Sequence, residues 1–92
     1  MNKYVVEFLG TLLLSFVIFA TGNYLAIGAA LAIGVLLGGA ISGGAFNPAI
    51  AFGLMVAKKI TQTDFILYTI VEILGALAGF WLSKTIFLIY KI

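Results

Sequence analysis

The 92-residue sequence contains no cysteine, no histidine and a single proline. Without cysteine there is no disulfide framework and no thiolate nucleophile, so the redox compartment cannot be inferred. A zinc or haem site is disfavoured because both usually take their ligands from cysteine and histidine. No nucleophile–base pair or metal-binding set can be assembled from this composition. We therefore expect neither an enzyme nor a bound cofactor.

Charge is also scarce, since only 9% of the residues are charged while 64% are hydrophobic. The net charge of +2 is small and spread along the chain, which argues against a nucleic-acid partner. The mean hydropathy of +1.28 is that of an integral membrane protein in contact with lipid. Between Lys3 and Lys58 the only charge is Glu7, which interrupts the apolar run that a cleavable signal peptide would need.

Three apolar segments are long enough to cross a bilayer, at about 4–21, 24–41 and 65–82. The turn Thr21-Gly22-Asn23 separates the first two, and a polar stretch from Lys58 precedes the third. Either Thr63 or Asp64 is predicted to cap that third span. Aromatic residues near the span ends are typical of membrane interfaces: Tyr4, Tyr24, Tyr68, Trp81 and Tyr90. The sequence predicts an all-α integral membrane fold with one domain, residues 1–92.

The single proline marks a fourth, shorter helix. Asn47 is a favoured N-cap residue and Pro48 suits the first helical position, so the pair predicts a helix over 48–57. Ten residues make about 15 Å of helix, half of a roughly 30 Å hydrocarbon core. Backbone that starts in the middle of a membrane must be buried in protein or line a water-filled cavity. We expect a re-entrant half-helix whose positive end lies at the membrane centre, as in a channel.

Small residues recur at four-residue spacing on the second and third spans, where they let helix backbones approach closely. The positions that we predict to pack helices are Ala30, Gly34, Gly38, Gly75 and Gly79. A polar stripe of Glu7, Thr11 and Ser15 occupies one face of the first span. Such stripes on all three spans predict a compact helical bundle.

Two carboxylates, Glu7 and Glu72, fall inside predicted spans, where an unpaired charge costs a few kcal/mol. The structural interpretation is that each accepts hydrogen bonds from the irregular backbone that begins at Ser42, Gly43 and Gly44. The alternative is a proton relay, which requires a carboxylate exposed to a water path and a relay partner. No relay partner is evident in the sequence.

Three motifs in this order resemble the aquaporin and glycerol-facilitator family of major intrinsic proteins. The segment Ser42-Gly-Gly-Ala-Phe-Asn-Pro-Ala49 resembles the first signature loop of that family. Glu7-Phe-Leu-Gly-Thr11 looks like its first-helix motif. Glu72-Ile-Leu-Gly-Ala76 is similar to its third-helix Gln-x-x-Gly-Ala, with Glu replacing Gln.

The resemblance implies an architecture. Family members contain two inverted repeats, each with three spans and a half-helix, and the two half-helices meet at the membrane midplane. This chain matches one repeat, so the resemblance implies an antiparallel dimer in the lipid bilayer, or pairing with a different half-protein. The resemblance also suggests that four such pores could assemble into a tetramer. Lysines at the predicted ends, three (Lys3, Lys58, Lys59) against two (Lys84, Lys91), give a weak orientation bias that permits dual topology.

The resemblance also implies a permeation path for water and small neutral solutes. Asn47, with Pro48 and Ala49, would present a donor to each passing molecule. Ile50 occupies the place where the family's second loop carries Arg, Ala45 stands where many members carry His, and Ile27 matches a position that narrows the filter. These apolar residues would leave an opening wide enough for glycerol, urea or ammonia.

Two other functions stay open at the level of sequence. One is a small dual-topology, proton-coupled transporter that uses Glu7 or Glu72, although such transporters lack a half-helix like the one predicted at Pro48. The other is a non-conducting half that pairs with another channel subunit.

Overall fold

The computed structural model describes residues 1–90, so Lys91 and the side chain of Tyr90 lie outside the described part. Within it, the chain forms four α-helices: Lys3–Thr21 (α1), Tyr24–Ser42 (α2), Pro48–Val56 (α3) and Gln62–Tyr90 (α4). Three of them, α1, α2 and α4, are long and apolar enough to cross a membrane. The nine residues of α3 are too few. The predicted all-helical membrane fold is confirmed.

The first two helices are separated by residues that stop one helix and start the next. Gly22, at φ +58°, ends α1 in the left-handed conformation that glycine adopts readily. Asn23 then caps α2 by accepting hydrogen bonds from the backbone N–H groups of Leu25 and Ala26, both at 3.0 Å. The predicted turn therefore consists of the C-cap of α1 followed directly by the N-cap of α2.

The last helix starts earlier and ends later than the predicted span of 65–82. Its cap is Thr61 rather than Thr63 or Asp64, because the Thr61 hydroxyl accepts from the Asp64 N–H at 3.0 Å. The Asp64 carboxylate accepts in return from the Thr61 N–H at 3.4 Å, which completes a reciprocal capping pair. The helix continues to Tyr90 because neither glycine nor proline follows Gly79.

The helix α1 lies at the centre of the bundle. Both α2 and α4 pack against it, and α3 packs against α4. Helix α2 reaches α4 at its last residue, Ser42. Glycines allow the closest approach: a Cβ added to Gly75 would lie 2.6 Å from the Phe8 carbonyl oxygen. One added to Gly79 would lie 2.5 Å from that of Leu12. The small residues of α4 therefore bring it directly against the backbone of α1.

A polar contact fastens the start of α1 to the start of α4. The Lys3 ammonium lies 2.9 Å from Asp64 Oδ2, and the Tyr4 hydroxyl donates to Oδ1 at 2.7 Å. The Tyr4 ring also meets the Tyr68 ring edge-to-face at 5.9 Å. These contacts place the beginnings of both helices at one end of the bundle, which we call the Lys3 end.

Burial is reversed relative to a soluble domain. Several polar side chains are buried, among them Glu7, Thr11, Ser15, Ser42 and Glu72. Large apolar side chains point outward, and Leu36 and Leu37 are each more than 70% exposed. In water this would be unfavourable. It is the distribution expected where lipid or another helix covers the outer face.

Candidate functional site

The candidate site is built on the loop between α2 and α3. Gly43 and Gly44 have φ of +90° and +67°, and Phe46 follows at +52°. Residues in this region cannot continue a helix, so the chain leaves α2, turns, and starts α3 at Pro48. The N–H groups beyond Gly43 therefore need partners other than the backbone carbonyls of their own helix.

The carboxylate of Glu7 is the partner of two of those N–H groups and of the Ser42 hydroxyl. It accepts from the N–H of Phe46 at 2.7 Å, from the N–H of Ala45 at 3.2 Å and from the Ser42 hydroxyl at 2.6 Å. The Ser42 oxygen in turn accepts from the Gly44 N–H at 3.1 Å. Glu7 is fully buried, so these charge-assisted bonds are shielded from water. The structure thus places Glu7 beneath the loop, as its interpretation as a structural support requires.

For Glu72 the same interpretation stays a prediction. The residue is 1% exposed, and its carboxyl group lies beside Glu7 and the backbone N–H of Asn47. Neither of its oxygens makes a hydrogen bond of acceptable geometry within the described residues. Glu7 and Ser42 hold the N–H groups of Gly44, Ala45 and Phe46, which leaves the backbone N–H of Asn47 on the side of Glu72.

A tyrosine that the sequence placed at the membrane interface belongs to the site instead. Tyr68 is 1% exposed, and its hydroxyl donates to the Ser42 carbonyl at 2.6 Å. It therefore holds the last carbonyl of α2 while Glu7 holds the N–H groups that follow. One sequence signal could have found it: Tyr68 lies four residues before Glu72, on the same face of α4.

Asn47 both starts α3 and faces outward. Its Oδ1 accepts from the Ala49 N–H at 2.8 Å, which caps the helix. The residue is exposed, so its Nδ2 group is available as a donor to a molecule in front of the helix. The first turn of α3 contains no acidic side chain, so the positive end of its dipole is not neutralised locally.

The structure brings some of the predicted pore residues together and separates others. Asn47, Ala49 and Ile50 are exposed together at the start of α3, and Pro48 beside them is half-buried. Ile27 is half-buried in the first turns of α2, about 22 Å along the helix axis from Ser42.

The placement of Ala45 on the exposed path is wrong. Ala45 is 4% exposed and packs in a buried cluster with Ala51 and Tyr68. Across residues 1–90, no acidic side chains group in a way that could hold a metal ion.

Comparison with known proteins gives a consistent result. Residues 21–90 match the family model described as major intrinsic protein. The chain is 41% identical over 88 residues to glycerol uptake facilitator protein-like 6 of Lactiplantibacillus plantarum, covering 86% of this chain and 41% of the relative. It is 39% identical over 94 residues to aquaporin Z of Brucella melitensis, with the same coverage. The chain thus spans about two fifths of the length of these relatives. No solved structure matches the chain.

Proposed function

Because this chain belongs to the major intrinsic protein family, whose members are membrane channels rather than enzymes, we propose that it forms one half of a passive channel. It is a multi-pass integral membrane protein with three apolar helices. The proposed permeants are water and small neutral solutes such as glycerol. The other half is a second repeat in the antiparallel orientation, supplied by another copy of this chain or by a different half-repeat.

The outward-facing Asn47 at the start of α3 carries this proposal. Its Oδ1 is occupied by the Ala49 N–H, so the side chain is oriented and only its Nδ2 donors remain for a permeant. In an antiparallel pair, two such groups would donate to the oxygen of a water molecule or a hydroxyl group. The two helix starts would add positive potential at the same point, which opposes cations and protons.

The open arrangement of the helices supports pairing. Within residues 1–90, α2 does not pack along α3 or α4, and Asn47, Ala49 and Ile50 stay exposed at the start of α3. Half of a pore wall would leave these groups facing lipid, which cannot hydrogen-bond to them. A second half-repeat with its own helix start would complete the wall around an aqueous path.

The side chain beside Asn47 supports a wide opening. Ile50 is 53% exposed at the start of α3 and offers no charge to a permeant. A pair of such chains would present Ile50 twice and no arginine, which leaves room for glycerol, urea or ammonia as well as water. Without an arginine, proton exclusion would depend on the helix dipoles alone.

The geometry does not favour a proton-coupled transporter. The Glu7 carboxylate is fully buried and engaged in three hydrogen bonds, and Glu72 is 1% exposed. A carboxylate that carries protons needs access to water and a relay partner. Both carboxyl groups instead lie behind the loop that positions Asn47.

The test is osmotic flux in proteoliposomes that contain only the purified chain, with glycerol and then sucrose as the external solute. We expect water efflux and glycerol re-entry faster than in empty vesicles, and no sucrose entry. The matched variant is Asn47→Asp, whose carboxylate can still accept from the Ala49 N–H but cannot donate. It should reduce glycerol flux or admit cations, because a negative charge replaces the donor.

Two outcomes would overturn parts of the proposal, namely pairing of this chain with itself and the pore role of Asn47. Flux equal to that of empty vesicles, from protein with the expected helix content, would exclude a channel made by this chain alone and indicate a missing partner half or a non-conducting role. Unchanged solute flux and cation exclusion in the Asn47→Asp variant would mean that Asn47 does not line the pore.

A further inference from the structure

We propose that Phe46 is a positioning residue for the permeation path, and that its ring, wedged between α1 and α2, fixes where Asn47 is presented. This inference rests on the proposed channel function, since it assigns a role to the residue that directly precedes the proposed donor. Phe46 itself is 3% exposed and touches no permeant.

The ring occupies the space of two missing side chains. A Cβ added to Gly10 of α1 would lie 2.1 Å from Cε1 of Phe46 and 2.6 Å from its Cζ. One added to Gly34 of α2 would lie 3.0 Å from Cε2. Both ring edges therefore rest on helix backbone, and the ring cannot remain where it is if Gly10 gains even a methyl group.

The backbone of Phe46 is held as firmly as its side chain. Its φ of +52° is a conformation that residues other than glycine rarely adopt, so the surroundings must impose it. The N–H donates to Glu7 at 2.7 Å, and the next residue, Asn47, leaves in an extended conformation at φ −165°. Since no residue separates the wedge from Asn47, a shift of the ring moves the donor and the cap of α3.

An open groove lies beside the ring of Phe46. Next to Phe46 an apolar groove of about 310 Å³ runs between α1 and α2, lined by Leu9, Leu13, Ile33, Leu37 and Ile41. Because Phe46 itself lines this groove, a ring displaced by a methyl group at Gly10 has open space beside it. Gly10→Ala should therefore still fold, and its effect should appear in the position of Asn47.

The experiment compares Gly10→Ala with Phe46→Ala and with the double variant. The control is Gly28→Ala, a glycine of α2 at which an added Cβ meets nothing within 4 Å. The first measurement is amide hydrogen exchange at Ala49, whose N–H is bonded to the Asn47 side chain. The second is the ratio of glycerol to water permeability in proteoliposomes, which does not depend on the amount of folded protein.

We expect Gly10→Ala to lower the exchange protection at Ala49 by about tenfold, while Gly28→Ala changes it by less than about twofold. The permeability ratio should change in Gly10→Ala and not in Gly28→Ala. In the Phe46→Ala background the Gly10→Ala change should have no further effect, because the ring that the methyl group would meet is gone.

The proposal is overturned if Gly10→Ala has the same effect with and without the Phe46 ring, or if it leaves both measurements at wild-type values. Failure of the channel proposal looks different: the wild-type chain would then conduct nothing. In that case the exchange measurement still decides whether the Phe46 wedge positions Asn47.

Discussion

At the scale of single residues, Glu7 and Glu72 are equally buried but differ in their partners. Glu7 accepts three hydrogen bonds, whereas the Glu72 oxygens have none within the described residues. Gln at position 7 keeps one acceptor oxygen, and its NH₂ group would face a backbone N–H. We expect Glu7→Gln to lower the free energy of unfolding by about 1–3 kcal/mol.

Glu72→Gln is the matched control for that change. It replaces a carboxyl group without partners by a neutral amide of the same shape, so stability should be unchanged or higher. Denaturant titrations in detergent micelles measure both variants. A larger loss for Glu72→Gln than for Glu7→Gln would mean that Glu72, not Glu7, supports the loop. Folded Glu7→Gln protein should still conduct, whereas a proton-coupled carrier would lose transport entirely.

At the scale of helices, the contact between α1 and α4 depends on the absence of side chains. A Cβ on Gly79 would lie 2.5 Å from the Leu12 carbonyl oxygen and 2.8 Å from the Phe16 nitrogen, and backbone cannot rotate away. We therefore expect Gly79→Ala to destabilise the chain by about 1–3 kcal/mol. Gly28→Ala, with open space around it, should be neutral or stabilising by up to about 1 kcal/mol. Thermal unfolding followed by circular dichroism compares them, and equal melting temperatures would refute this account of the packing.

The helices themselves could be predicted from the sequence because their signals are local. Helix α2 starts after its N-cap Asn23, and α3 starts at Pro48 after its N-cap Asn47. Such start signals act within a few residues, so they can be recognised in the sequence. The cap at Thr61 was missed because the choice among Thr61, Thr63 and Asp64 depends on which side chain faces the first turn. The end of α4 was missed because no stop signal occurs in the sequence.

The site could be predicted only in part. The motif around Asn47 indicates a hydrogen-bond donor at the start of a helix. Residue spacing alone does not tell whether Glu7 or Glu72 accepts from the N–H groups of the loop. Nothing in the local sequence distinguishes Phe46 from other apolar residues. Its role depends on a φ of +52° and on which faces of α1 and α2 meet, and neither is encoded by local spacing. Ala45 and Tyr68 were misplaced for the same reason, since their burial follows from the contact between α3 and α4.

At the scale of the whole molecule, antiparallel pairing of this chain with a second copy of itself requires that the chain insert in both orientations. Lysine counts near the ends of spans set orientation. Three lie at the predicted Lys3 end and two at the other, and Lys91 among these is outside the described residues. The near balance makes the orientation easy to change by substitution.

Two oppositely biased variants test this pairing. Lys84→Gln with Lys91→Gln leaves lysines only at the Lys3 end, and Lys58→Gln with Lys59→Gln and Thr85→Lys shifts the balance to the other end. Each variant alone should insert in one orientation and lose glycerol uptake in cells, because no antiparallel partner is present. Expressed together, they should restore uptake. Full uptake by either one alone would mean that antiparallel pairing of this chain is not needed.

The position of α3 also has a consequence for how the chain is made. Among residues 1–90, the main packing partner of α3 is α4, which follows it in the sequence, while the Glu7 carboxylate that holds the preceding loop comes before that loop. The growing chain therefore has the anchor for its loop ready before the loop emerges, but lacks the main packing surface for α3 until α4 has been translated. At ordinary ribosome speeds this delay lasts a few seconds, during which a nine-residue apolar segment waits at the membrane surface. Helix α3 therefore reaches its final position after α4, although it precedes α4 in the sequence.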